Sequence, residues 1–229
     1  MAPPTPWAAR ARTLVSILCT DAANLLKYGL DCPRRYQLAW VDPRAIELST
    51  RYFPVRSAPY LLDGSDLDQA VVALAREHFV AGGDWDLQTA PIDCVAAISR
   101  FKMRLQSSRS WDEVGEVAWM MRNIEAHGVQ DGCRTSQDVL ARCQALDALR
   151  SAWAAGLVLT QKQLDARAFR ERGGIGVAVG RRGEVIWMEG GSHRLALAQH
   201  MGLTKVPVCL LLVHREAVQG GRLRDTLSF

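Results

Sequence analysis

Two rhythms of apolar residues run along the chain. The first is helical: Trp7, Leu14, Leu18, Leu25 and Leu26 recur at that spacing between Trp7 and Tyr28, after a proline-rich start, and Gly29 supplies a stop. The same rhythm predicts helices over Asp66–Val80 (Leu67, Val71, Leu74, Phe79) and Ile92–Gln106 (Val95, Ile98, Phe101, Leu105). It continues over Trp111–His127 (Trp111, Val114, Val117, Met121), where Ser110 and Glu113 spell a capping box and Gly128 ends the pattern. A longer helix follows over Thr135–Ala155, with Val139, Leu140, Cys143, Leu146 and Leu149 as its apolar stripe. Pro33–Val41 turns into a first strand, whereas Ile46–Pro59 is irregular, with Tyr52, Phe53 and Tyr60 as aromatic contacts.

The second rhythm is the short continuous run of a buried strand. Ile175–Val179 and Val185–Met188 flank a hairpin connection, Gly180–Glu184, and Val206–Val213 forms a third run. Between the second and third lies Glu189-Gly190-Gly191-Ser192-His193-Arg194, which opens into a short helix stopped by Gly202. Paired glycines let the backbone approach a ligand, Ser192 is placed to cap, and the first N–H groups with the helix dipole favour an anion. His193 and Arg194 add donors suited to phosphate. A turn built for geometry alone would use the same glycines.

With the closing Gly202-Leu203-Thr204-Lys205-Val206-Pro207-Val208, this order of elements resembles the ParB/sulfiredoxin superfamily. The likeness is carried by residues 142 to 214, including the Leu146–Gly156 helix, with a distant echo at Val41–Ile46. The resemblance implies an α+β fold: a small mixed sheet with helices, plus a largely helical insertion. Residues 1–35 would form an N-terminal helical segment, 36–46 the first core strand, 47–141 the insertion and 142–229 the nucleotide-binding core. It further implies a nucleoside triphosphate, ATP or CTP with Mg²⁺, held at Gly190, Gly191, Ser192, His193 and Arg194. Sulfiredoxins carry a reactive cysteine where this chain has Ser192. Partition-type ParB proteins add a DNA-reading helix-turn-helix, for which Arg215–Phe229 is too short, so DNA is not an expected partner. Free-standing members that phosphorylate small molecules are nearest in layout.

Composition narrows the partners. A net charge of +4 spread over short basic pairs marks a solvated face rather than a nucleic-acid groove, and the apolar stretch Leu14–Cys19 is too short for an export signal or membrane span. The six cysteines lack zinc spacing, so no metal site is expected from them and a reducing cytoplasmic setting is. Gly82-Gly83-Asp84-Trp85-Asp86 also draws attention. Asp84 or Asp86 is a candidate for holding hydrated Mg²⁺ or accepting a substrate proton, and Trp85 for stacking on a base. The alternative is a turn whose aspartates cap and whose tryptophan plugs the core. Glu189 is the remaining candidate base. Two functions follow: phosphoryl transfer from the nucleotide to a small acceptor or to water, or a non-catalytic nucleotide or phosphometabolite sensor acting through a protein partner.

Overall fold

The computed structural model describes residues 6–50, 75 and 77–229, with side chains in the first helix from Ala11 onward. It is an α+β structure around one mixed sheet. The strands are β1 (Leu38–Val41), β2 (Leu48–Ser49), β3 (Val80–Ala81), β4 (Ala90–Pro91), β5 (Ile175–Val179), β6 (Val185–Glu189) and β7 (Val206–His214). Their order is β1-β7-β5-β6-β2-β4, with β3 also paired to β7. All nine residues of β7 are buried, as its unbroken apolar run requires. It lies parallel to β5 on one edge, and on the other meets β1 antiparallel and then β3 parallel. Pro207 is tolerated there because Trp40, its partner across the ladder, directs its own N–H and C=O to Ser228 instead.

The helices are α1 (Pro6–Tyr28), α2 (Ala96–Ser107), α3 (Glu116–His127), α4 (Ser136–Ala154), α5 (Gln161–Leu164), α6 (Ser192–His200), α7 (Arg215–Gln219) and α8 (Leu223–Thr226). One sheet face, through Val177, Val179, Val185, Trp187, Val208 and Leu210, packs in a common core with α6 and residues of α2, α3 and α4. The other buries Ala178, Ile186, Met188, Cys209 and Leu211 with Ala81 and Trp85. No helix among the described residues is long and apolar enough to cross a membrane.

The hairpin, α6 and β7 stand where the apolar runs put them. Elsewhere the structure departs from the pattern. Segment 47–141 is woven into the sheet, since β2, β3 and β4 all pair within it; strands of two residues are too short to leave a rhythm. Ser110 and Glu113 do exchange their capping bonds, at 2.7 and 3.2 Å. The helix nevertheless begins at Glu116, because Gly115 adopts a left-handed φ of 76° and restarts the chain direction. On α1 the inward side is Ile17 and Asp21, while Leu18 and Leu26 are exposed. Leu140 of α4 is likewise exposed, with Val139, Cys143 and Trp153 turned inward. Most of the helix expected over Asp66–Val80, and the aromatics Tyr52, Phe53 and Tyr60, lie outside the described residues.

Candidate functional site

At the end of β6 the chain turns through Gly190 and Gly191, whose φ values are 68° and 59°. A Cβ on Gly191 would stand 2.7 Å from the Ile175 side chain, and one on Gly190 would stand 2.9 Å from the Gly174 carbonyl. The glycines are therefore required by packing against the start of β5, whatever else they do. The Trp187 indole donates to the Gly190 carbonyl at 2.9 Å and fixes that peptide. Gly191, not Ser192, is the N-cap; its carbonyl accepts the Leu195 N–H at 2.8 Å. Ser192 is the first helical residue, so it cannot cap as expected. Among the described residues the N–H groups of Ser192, His193 and Arg194 and the Ser192 hydroxyl find no acceptor or partner, leaving four donors at the positive end of α6.

These donors border a cavity of about 700 Å³ between the core and the inserted helices. Its walls include Trp119, Asn123 and His127 of α3, Leu146 and Leu149 of α4, Trp187, and the whole Gly190–Arg194 turn. An apolar lining with few polar groups and this volume is the usual character of a small-molecule site.

The two basic residues of the turn are differently engaged. His193 is 5% exposed, packs edge-on against Phe101 at 5.2 Å between centroids, and sets Nε2 3.5 Å from a Glu116 oxygen. The other Glu116 oxygen takes a 2.6 Å bond from Arg100, which itself lies over Trp119. Burial raises the Glu116 pKa, but bonding to His193 and the charge of Arg100 outweigh it and hold the carboxyl below its ordinary range. The imidazole thus anchors α6 to the insertion. Arg194 donates to the Gly173 carbonyl at 2.6 Å and to Gln161 at 3.1 Å, keeping three of its five N–H donors. Burial lowers its pKa and nearby Glu171 opposes that, leaving a cation. Glu171, buried, accepts the Gln161 and Lys162 backbone N–H groups at the start of α5, and desolvation raises its pKa.

The other candidates are elsewhere. Asp86 and Asp84 both bind Arg181 of the β5–β6 connection, at 2.8 and 2.7 Å. That connection is at the opposite end of the hairpin from Gly190, a five-residue strand or roughly 16 Å away. Asp86 is fully enclosed, and His214 and the Trp85 ring pack beside it. Trp85 is 6% exposed and fills the second core face. Neither aspartate is free to hold a metal, and Trp85 has no open face for a base. Glu189 is exposed and borders a different hollow, with Met188, Cys209 and Arg172. The one carboxylate lining the 700 Å³ cavity among the described residues is Asp131, delivered by an Asp-Gly hairpin and paired to Arg142 at 2.8 Å. No group of three or more potential metal ligands occurs among the described residues, so the cavity does not fit a protein-held Mg²⁺.

No protein-family model matches this chain, and no curated protein or solved structure matches it.

Sequence reasoning missed Glu116, Trp187, Gln161 and Asp131. The Asp131-Gly132 pair was a usable signal, as a dipeptide typical of tight hairpins. Glu116 had none, because its inward direction follows from the break at Gly115.

Proposed function

We propose that the chain binds a nucleotide, or another phosphorylated metabolite, with its phosphate at the α6 N-terminus and its body in the adjoining cavity. The observation that carries this is the set of unpaired donors, Ser192, His193 and Arg194 N–H with the Ser192 hydroxyl, at the edge of an enclosed space of about 700 Å³. Helix N-termini of this kind favour dianions. The order hairpin, glycine turn, helix, strand agrees with a ParB/sulfiredoxin-like nucleotide domain and supports the same reading. Phosphate would meet the Ser192 and Arg194 side chains directly, whereas His193 would contribute through its backbone. Any Mg²⁺ would arrive on the nucleotide's own phosphates.

A binding and sensing role accounts for these features better than phosphoryl transfer. Glu189, Asp84 and Asp86 lie outside the cavity, and the inserted helices that wall it are suited to relay occupancy to a protein partner. Transfer to a small acceptor or to water stands as the second reading on one observation, that Asp131 lines the cavity as a carboxylate.

The test is calorimetric titration with ATP and CTP, with and without Mg²⁺, on the wild type and on Ser192→Glu. A carboxylate at the first helical position complements the dipole and stabilises the helix by about 0.3–1 kcal/mol. It also occupies the anion's place, so nucleotide affinity falls about tenfold or more while Tm is kept or raised. Absence of binding by wild type, or equal binding by Ser192→Glu, overturns the proposal. Release of ADP or CDP that stops in Asp131→Asn would select the transfer reading.

A further inference from the structure

Asn123 is 8% exposed and lines the cavity beside Trp119 and His127. Its Nδ2 donates to the Trp119 carbonyl, one helical turn back, at 2.9 Å. A carbonyl oxygen only accepts, so this bond decides which way round the carboxamide sits; turned over, Oδ1 would face another oxygen. Left over are one amide N–H and Oδ1, and no protein group donates to that oxygen. A partner that supplies a donor to Oδ1 and an acceptor to the N–H completes the group. One that offers an acceptor to Oδ1 leaves a nearly buried oxygen without a hydrogen bond.

We infer that the cavity selects nucleotides whose base carries an exocyclic amino group, adenine or cytosine, over those that present a carbonyl at that place, guanine or uracil. Adenine and cytosine set an N–H₂ donor next to a ring nitrogen acceptor, the pattern that a carboxamide matches with both of its ends. Guanine and uracil set a carbonyl next to a ring N–H, which an asparagine meets elsewhere by turning its amide over. Here the Trp119 carbonyl holds the amide against that turn. Trp119, Leu146 and Leu149 provide the apolar wall that a planar base requires. Asn123 also borders a smaller hollow with Gly115 and Arg122, and the test separates the two faces.

The inference rests on phosphate binding at α6, and the experiment distinguishes the failure of one from the failure of the other. ATP, CTP, GTP and UTP are titrated into wild type, Asn123→Ala and Asn123→Asp under identical Mg²⁺ and salt, with Tm recorded for each. Wild type is expected to bind ATP and CTP about tenfold or more tightly than GTP and UTP. In Asn123→Ala the ATP-to-GTP ratio falls close to one, since the carboxamide is gone. Asn123→Asp places an acceptor-only group opposite the Trp119 carbonyl, and the same loss there shows that the ratio does not depend on one substitution. Equal affinity of wild type for all four nucleotides overturns base selection and leaves phosphate binding standing. A ratio that Asn123→Ala does not change assigns the carboxamide to the smaller hollow and overturns it as well. If none of the four binds, both readings fall.

Discussion

The Nε2 atom of His193 lies 3.5 Å from a carboxylate oxygen of Glu116, so the first turn after the glycines is tied to the first residue of an inserted helix. Arg100 closes the group from α2. Three elements far apart in the chain therefore meet at one buried carboxylate beside the cavity.

Removing that carboxylate strands two donors. Glu116→Gln is expected to cost about 3 kcal/mol or more at pH 7, read by urea unfolding. The sign of its pH dependence follows from a folded pKa depressed below the ordinary 4.5. The stabilisation is present above 4.5 and is lost as pH falls through the depressed value. The gap between wild type and Glu116→Gln should thus close in acid, and a gap independent of pH would refute the charge-based account.

Glu171 should behave in the opposite sense. Burial raises its pKa, with Arg194 only partly opposing, so the ionised form is disfavoured in the folded state. A carboxyl with a raised folded pKa adds stability as pH falls, and costs stability once ionised. Glu171→Gln keeps an acceptor for the Gln161 and Lys162 N–H groups and removes the charge. It is expected to equal or exceed wild type in stability at pH 7, with the difference vanishing toward pH 4. Strong destabilisation at neutral pH would mean that the ion pair with Arg194 dominates.

The Arg181 clamp separates stability from binding. Asp86→Ala breaks several bonds to a guanidinium within the protein and is expected to cost about 2–3 kcal/mol. Asp84 is 75% exposed, so Asp84→Ala should stay within about 1 kcal/mol. Neither variant should change nucleotide affinity, and a specific loss of binding in either one would return this loop to the site.

Thiol reactivity checks the packing. Cys19 is exposed and Cys94 half-buried, while Cys32, Cys133, Cys143 and Cys209 are buried. Burial pushes the Cys32 and Cys143 thiols up to about 11 and Cys209 higher still. A chromogenic disulfide reagent at pH 8 should titrate Cys19 quickly, Cys94 more slowly, and the other four only in denaturant. Rapid reaction of Cys209 in the native protein would show that β7 is not enclosed.

The C-terminal strands, their hairpin and α6 were legible because each is an unbroken apolar run bounded by glycines, a pattern that local sterics and burial both enforce. The insertion was less so. A single left-handed residue, Gly115, moved a helix start by five residues and turned Glu116 inward. The stripe on α1 was misread because the side that packs carries Asp21, an acid paired with Arg170, and pairing across 149 positions leaves no local trace. For Asp84, Trp85 and Asp86 the plain alternative, an ionic turn with a core tryptophan, describes the geometry, and only the position of Arg181 decided between the two.

The junction at β7 also bears on when this chain can fold. β1 and β3 touch the rest of the sheet through β7, so both remain without a neighbour until residues 206–214 have been synthesised. During translation the earlier strands and the cysteine-bearing helices must wait with apolar surface uncovered, which makes sheet closure a late, long-range event and exposes the nascent chain to aggregation and chaperone capture.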